Sequence, residues 1–406
     1  MLMALLMPLR LVPLRALHAR ADVVSLTAMG SFELDLFSPA RVSIFTRILK
    51  RHDDGCHDVA SLHQTVSFGD RLLLARIPAN RFAAAGVVRP SRTAEPIKQH
   101  AELTVTEEAA GADEVPLDET NMVVRALACF RTRLAQRDGG SLDVPRFRAH
   151  LIKRIPPGVG LGGGASNAAT AMWGANELCG RPASAEELTA WSEELGSGVA
   201  CLLAGEGAAL CTGRALFYKP PNVRAVGPLV RPDVQPAGGS SAPHGLTIIT
   251  PIGGARPSTP RLFRALADTD YSTLSQAAPK DLLEGLVALD EGQAGPAPSD
   301  CTASFDSFVN DLEPPTLACS TTLGVIRHHL LEVEGFRAAS LLGAGPSIAA
   351  IGQPRGGGDA LAQRLERACA ETGEAGAALS IHVRGVQFAR RSDKQWYTEL
   401  SDQLST

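Results

Sequence analysis

The sequence predicts a chain of mixed helix and strand in two domains, and three observations carry that expectation. Residues 31–77 hold alternating extended runs joined by a turn. A glycine run followed by an Ala-rich helical segment fills 158–178. A Pro- and Gly-rich stretch, 219–244, separates this region from a second series of strand and helix patterns. The boundary is therefore expected near 240. With 406 residues, 45% of them hydrophobic, the chain can bury more than one core.

The elements follow in order. Residues 1–30 carry Arg10, Arg15 and Arg20 with no acid before Asp22, and their leucines recur near helical spacing. An Arg-rich, acid-poor, amphipathic start describes an organelle transit peptide, here of plastid type. A secretory signal, or an unstructured start on a cytoplasmic protein, is the alternative. The run at 31–49 reads as a strand, and Asp53-Asp54-Gly55 as the turn that follows it. Residues 66–77 read as two strands with a turn at Gly69-Asp70. A helix is expected over 121–136 and a strand over 147–155, stopped by Pro156-Pro157. A second helix over 165–178 ends at Gly180. A third, over 184–196, opens with Ser184 and Glu187 in capping-box spacing. A strand near 208–213 precedes the linker. Beyond it come LTIITPI at 246–252, an insertion at 291–304, a helix after 309–315, a strand–glycine turn–strand at 338–351 and a last strand at 379–386.

The formal net charge of -4, with Lys and Arg scattered, argues against a nucleic-acid partner. No apolar stretch is long enough to span a bilayer, which argues against a membrane protein. The eight cysteines form no C-x-x-C pair and no zinc spacing, so reduced, packed thiols are expected.

The glycine run suits an anion. Glycine lets the backbone approach a phosphate, and the following helix offers unpaired N–H groups and a positive dipole end. Gly158, Gly160, Gly162, Gly163 and Gly164 form the loop, and Ser166 and Asn167 lie in the first helical turn. A P-loop would place Lys after the last glycine, where Ala165 stands. A dinucleotide fingerprint can be drawn through Gly158, Gly160 and Gly163, but Pro156-Pro157 splits strand from loop and no acidic strand end follows. A packed glycine turn without a ligand is the plain alternative.

The string Pro156-Pro157-Gly158-Val159-Gly160-Leu161-Gly162-Gly163-Gly164-Ala165-Ser166-Asn167-Ala168-Ala169 resembles the phosphate loop of the GHMP kinases, P-x-G-x-G-L-G-G-G-S-S-N-A-A. The triple glycine followed by Ser-Asn-Ala-Ala is the form of the branch acting on 4-diphosphocytidyl-2-C-methyl-D-erythritol, and one position departs, Ala165 for the usual Ser. Ser38-Pro39-Ala40-Arg41-Val42-Ser43 resembles the first motif of that branch, P-A-K-x-N. Asp54-Gly55-Cys56-His57, continuing to Ser67 and Asp70, resembles D-G-[YF]-H followed by S-x-x-D. Leu342-Gly343-Ala344-Gly345-Pro346-Ser347 resembles the third motif. The similarity runs over 31–352 and is best to plant and algal members.

The resemblance implies an α+β fold of two domains. An N-terminal ATP-binding domain of ribosomal S5 domain 2-like type would cover 31–235. A C-terminal ferredoxin-like sandwich would cover 245–390, with the site in the cleft between them. It implies ATP and Mg²⁺ as cofactors, a small cytidine-diphosphate-linked substrate, and phosphorylation of its 2-hydroxyl in non-mevalonate isoprenoid synthesis. ATP would meet Asn121, near adenine, and the loop from Pro157 through Gly158, Gly160, Leu161, Gly162, Gly163, Gly164, Ala165, Ser166 and Asn167, with Ser166 as the magnesium ligand. Substrate would meet Ser43, Cys56, His57, Thr259, Phe263, Gly343, Ala344 and Gly345, with His57 on the cytosine.

The chemistry of the family leans on one Lys and one Asp. Here Arg41 stands at the Lys position, Ser43 at the Asn two residues on, and Gly198, in Leu195-Gly196-Ser197-Gly198, at the Asp. Arg41 keeps the charge but as a planar fork, and Gly198 supplies no proton acceptor. Two expectations follow: a kinase working by positioning and charge neutralisation, or a catalytically impaired relative that binds nucleotide or a partner.

Overall fold

The computed structural model describes residues 31–53, 57–77, 101–109, 114–139, 144–214, 222–226, 246–253, 262, 266, 309–372, 379–392 and 394–399. Strands β1 (Leu34–Arg51) and β2 (His57–Ile77) form one long antiparallel hairpin, from Leu34 opposite Leu74 to Arg51 opposite His57. Of the expected turn Asp53-Asp54-Gly55, Asp53 lies just beyond β1 and the other two residues lie outside the described residues. The second expected turn, at Gly69-Asp70, is corrected: β2 runs straight through it. Gly69 is there because Pro39 opposes it at a bulge, and a Cβ would collide with the Ser38 carbonyl. Asp70 is wholly buried and anchors the glycine loop, as described below.

Strand β4 (Arg146–Lys153) pairs with the second half of β2, and β3 (Ala101–Glu107) runs parallel to β4. Strand β5 (Ala208–Arg214) pairs with the first half of β2 and carries β6 (Asn222–Val226) on its far side. Part of the stretch expected as linker is therefore strand. Helices α1 (Met122–Arg137) and α2 (Gly163–Leu178) pack on this sheet around Leu72, Leu74, Leu127, Phe130, Phe147 and Met172. Alanines let α2 lie close, and at Gly174 a Cβ would come within 2.7 Å of Leu36. Helix α3 (Ala185–Ser192) opens with the expected capping box, in which Ser184 and Glu187 satisfy each other's backbone N–H. A 3₁₀ turn and α4 (Ser197–Ala204) follow.

The second sheet contains β7 (Leu246–Ile252), β9 (Ala338–Leu341), β10 (Ile348–Ile351) and β11 (Ser380–Val386), in the order β11-β7-β10-β9. All its pairs are antiparallel. Helices α5 (Glu313–Ala318) and α6 (Thr321–His328) lie between β7 and β9, and α7 (Gly358–Glu371) between β10 and β11. Numbered within this unit the strand order is 4-1-3-2, the ferredoxin-like arrangement. The short β8 (Val309–Asn310) leaves it to pair with β1.

A shared core joins the sheets. Ala40, Val42 and Leu62 from the first meet Ile248, Ala349 and Val386 from the second, with Val159 and Leu161 of the glycine loop packed among them. The chain end then returns to the first sheet: Trp396 donates through Nε1 to the Phe37 carbonyl at 3.0 Å, and Tyr397 is buried beside it.

Cys201 on α4 and Cys211 on β5 are joined as a disulfide, with Cα atoms 6.6 Å apart. This corrects the expectation of reduced thiols for that pair, which turns on how α4 and β5 meet. Cys129, Cys179, Cys319 and Cys369 are free. Among the described residues no helix is long and apolar enough to cross a membrane. The N-terminal segment 1–30, the domain boundary near 240 and the insertion at 291–304 lie outside the described residues.

Candidate active site

The site is built on backbone that needs glycine. Gly158, Gly160 and Gly162 have φ of 68°, 87° and 68°, the left-handed region that side chains resist. Between them Val159 and Leu161 point inward and pin the loop to the core. Helix α2 then starts at Gly163, with Gly162 as its N-cap, and no side chain caps its N-terminus. Its first-turn N–H groups have no side-chain partner, the arrangement that suits an anion.

Behind the loop, one carboxylate sets its position. Asp70 accepts from the backbone N–H groups of Arg154 and Ile155, both at 2.7 Å, and from Lys153 Nζ at 2.7 Å. Lys153 also donates to the Ile155 carbonyl. Burial pushes its ammonium down while Asp70 pushes it back up. A Cβ at Gly163 would fall 3.1 Å from Lys153 Nζ, so this buried pair backs the loop where the helix begins.

Across the loop lies the third motif. Gly345 and Gly160 meet backbone to backbone, and a Cβ on either would collide with the other loop. The Ser347 N–H donates to the Val159 carbonyl at 3.2 Å. Asn310 donates to the carbonyls of Leu341 and Gly343, each at 2.8 Å, and so holds the segment of Gly343, Ala344 and Gly345 against the glycine loop.

Arg41 stands in front. It follows the bulge at Pro39, which aims it at the loop, and its backbone N–H donates to the Leu161 carbonyl at 2.9 Å. A Cβ on Gly162 would lie 2.6 Å from its Nε, and a Cβ on Gly198 would lie 3.2 Å from its Nη2. The two positions at which the resemblance expects Lys and Asp therefore face each other across one guanidinium. Nη1 donates to His63 Nδ1 at 2.6 Å, and Ser43 Oγ lies 3.2 Å from the same nitrogen. Nε has no partner, and Arg41 pairs with no carboxylate among the described residues. Burial pushes the guanidinium down to about 10, which leaves it charged at neutral pH.

The other expected residues divide. Ser166 and Asn167 are buried, and the Ser38 hydroxyl donates to Ser166 Oγ at 3.1 Å and to Asn167 Oδ1 at 2.7 Å. Their side chains tie α2 to β1 and turn away from the loop opening. Asn121 caps α1, accepting from the Val123 N–H and donating to the Pro116 carbonyl. It adjoins the loop through Met122, which a Cβ on Gly164 would meet at 3.8 Å. Gly158, Gly164 and Ala165 reach the surface of the loop, and Pro157 is half-buried at its entry. His57 is buried at the first pair of β2, opposite Arg51. Cys56, Thr259 and Phe263 lie outside the described residues.

Sequence reasoning missed His63 and Lys153. Each is one residue of a strand, and only the register that sets His63 opposite Ser43, and Lys153 beside Asp70, gives it a place. The one cluster of three or more metal-binding side chains among the described residues is His63, Cys201 and Cys211. Arg41 already bonds its imidazole, and the two sulfurs bond each other. The loop itself fits the phosphates of ATP, with open N–H groups, left-handed glycines and a guanidinium lacking an anion. It presents no built site for Mg²⁺, because Ser166 faces inward.

Residues 121–207 match the GHMP kinases N terminal domain. The chloroplastic 4-diphosphocytidyl-2-C-methyl-D-erythritol kinase of Oryza sativa subsp. japonica is 30% identical over 336 residues, 82% of this chain and 68% of the relative. The chloroplastic/chromoplastic enzyme of Solanum lycopersicum is 31% identical over the same shares. A crystal structure of 4-(cytidine 5'-diphospho)-2C-methyl-D-erythritol kinase superposes with a TM-score of 0.51 at 20% identity, over 87% of this chain and 98% of that one. Loop, facing motif and relatives agree: the chain belongs to the GHMP kinases, small-molecule kinases, within the family of 4-diphosphocytidyl-2-C-methyl-D-erythritol kinases.

Proposed function

We propose that the chain transfers the γ-phosphoryl group of ATP to the 2-hydroxyl of 4-diphosphocytidyl-2-C-methyl-D-erythritol, a step of non-mevalonate isoprenoid precursor synthesis. The observation that carries the reading is the Arg41 guanidinium between the glycine loop and position 198, with Nε unbonded and no carboxylate partner among the described residues. Phosphoryl transfer is mostly positioning and charge neutralisation. The first-turn N–H groups of α2 bind the phosphates. Arg41 meets the oxygens of the group in flight, and its charge lowers the cost of the developing anion. The hydroxyl oxygen bonds to phosphorus as the bond to ADP breaks, and the hydroxyl proton leaves to water. With Gly198 in place of Asp no carboxylate takes it, which costs about 10²–10⁴-fold in rate. Mg²⁺ enters with ATP.

On this reading the nucleotide lies along Pro157–Ala165, with Asn121 at the adenine end. The acceptor lies between Ser43, His57 and the Gly343–Gly345 segment. The N-terminal unit would span 31–235 and the C-terminal one 245–390. The chloroplastic relatives support a plastid address, with 1–30 as transit peptide.

The test is ADP release by the protein from residue 31 onward with Mg-ATP, with and without the diphosphocytidyl substrate, beside Gly198→Asp. Substrate-dependent turnover in the unaltered protein is expected. ATP binding without turnover, restored by Asp at 198, would instead assign the impaired relative, which the missing side chain at Gly198 favours.

A further inference from the structure

We infer that His63 is a positioning residue for Arg41: by accepting from Nη1 it holds the guanidinium so that Nε and Nη2 face the glycine loop, where they receive a nucleotide phosphate. Three observations carry this. The bond is short, 2.6 Å, and comes from the strand directly beside β1. The remaining guanidinium edge is turned on Gly162 and Gly198 with no protein partner on Nε. Arg41 has no carboxylate among the described residues to fix it, as an Asp at 198 would.

A long side chain at a phosphate site loses rotamer freedom when held by the ligand alone, and a prior bond removes part of that cost. Nη1 lies 2.6 Å from Nδ1 and 3.1 Å from Nε2, and the shorter contact is the one through which the ring holds the guanidinium. Ser43 Oγ, at 3.2 Å from Nδ1, is a second polar neighbour of the ring from β1. Histidine in this place is not the missing base. Burial, and then Arg41, hold it well below its usual range, and a proton on it would set imidazolium against guanidinium. An uncharged acceptor suits this position, since a carboxylate here would neutralise Arg41, whereas imidazole orients it and leaves the charge for phosphate. Ser43, Arg41 and His63 thus form one unit. Two of its three members are departures from the first motif, and the third explains how those departures are accommodated.

The inference rests on the kinase reading of the site but not on the identity of the acceptor, so its test uses nucleotide alone before it uses turnover. Affinity for a non-hydrolysable ATP analogue with Mg²⁺ is measured by calorimetry for the unaltered protein, His63→Leu, His63→Asn, Arg41→Met and the His63→Leu/Arg41→Met pair, each checked by thermal unfolding. His63→Leu should weaken binding about tenfold, as loss of a bond to a charged group does. His63→Asn, which keeps an oxygen near the Nδ1 position, should recover to within about threefold. In Arg41→Met the His63→Leu change should cost under about twofold, because the group being positioned is gone. With the acceptor present, His63→Leu should lower kcat and leave the acceptor KM within about twofold. Additive losses in the double variant, no recovery with Asn, or no binding by the unaltered protein would each overturn the inference. Tight analogue binding and a non-additive cycle, without turnover of the diphosphocytidyl substrate, would uphold it and remove the acceptor assignment alone.

Discussion

Two cations flank one glycine loop, and they are held in opposite ways. Lys153, behind the loop, is bonded to Asp70 and to a backbone carbonyl and is almost wholly buried. Arg41, in front, has an imidazole and, among the described residues, no carboxylate. A buried charge with all its bonds made is part of the scaffold. A half-buried charge with a free edge pointing at an anion site is held in reserve for a ligand. The difference separates what this chain keeps in common with the GHMP kinases from what it has changed. The glycines of the loop, the facing glycine segment and their anchors are kept, while Arg41, Ser43 and Gly198, which surround the front cation, depart from the family's pattern.

Removing the rear carboxylate should give the largest effect. Asp70→Ala leaves Lys153 as an unpaired buried cation and strands the N–H groups of Arg154 and Ile155. Loss of one partner of a buried pair costs about 3–5 kcal/mol, read as a drop in the urea midpoint together with loss of ATP-analogue binding. A front-side change of similar charge should behave differently. Arg41→Met is expected to weaken the analogue while leaving the urea midpoint within about 0.5 kcal/mol. If both variants unfold alike, the contrast between scaffold and reserve charge is wrong.

Gly198→Asp comes next. Its φ is not in the left-handed region, and the new carboxylate starts beside Arg41 Nη2, with Ala165 Cβ 3.3 Å from the new Cβ. It should raise kcat about 10²-fold by supplying a proton acceptor, and it should reduce the nucleotide penalty of His63→Leu, because a second group now orients Arg41. A Gly198→Asn control separates charge from bulk: Asn should give no such rise.

Gly345→Ala should follow at about 1–3 kcal/mol of stability, the usual cost of overpacking. Its Cβ would collide with the backbone of Gly160 and Val159, not with a side chain that can swing away. Because the collision is with the loop itself, analogue affinity should fall with stability. An unchanged urea midpoint would mean that the two loops do not touch as described.

These contrasts also show which parts of the site could be read from sequence. The glycine loop was legible because its signal is local: left-handed backbone at Gly158, Gly160 and Gly162 demands glycine wherever it occurs. The capping box at Ser184 was legible for the same reason. Gly69-Asp70 misled because a turn pair in sequence can equally be a glycine under a crossing carbonyl next to a buried anchor, and only tertiary packing decides. His63 was invisible because its role depends on strand register through three bulges, which local pattern does not reveal. The disulfide between Cys201 and Cys211 depends on how α4 meets β5. Of the resemblance-based site, the pairing of Arg41 with Gly198 is met in space, whereas Ser166 and Asn167 turn out to be bonded to Ser38 inside the fold.

The smallest expected effect concerns pH and tests whether the imidazole beside Arg41 is uncharged. Burial is the first cause that lowers His57, His63 and His150; Arg51 and His52 add to it for His57, and Arg41 for His63. Each is neutral in the folded state at a pH where the unfolded chain, titrating near about 6.5, already takes a proton. The unfolded state therefore binds more protons below that point, so stability is complete above about pH 6.5 and is lost as pH falls through it toward each folded value. Glu33 and Glu334, both held below the usual carboxylate range, contribute stability that is lost only at lower pH. Between about pH 6.5 and about pH 5.5 the histidines dominate. The urea midpoint should fall across this interval, and His63→Asn should make the fall shallower. The analogue affinity of the unaltered protein should weaken only below this interval, as His63, held well below its usual range by burial and Arg41, takes a proton and releases Arg41, while that of His63→Asn stays flat. An equal pH slope of affinity in both proteins would show that Arg41 keeps its place without the imidazole.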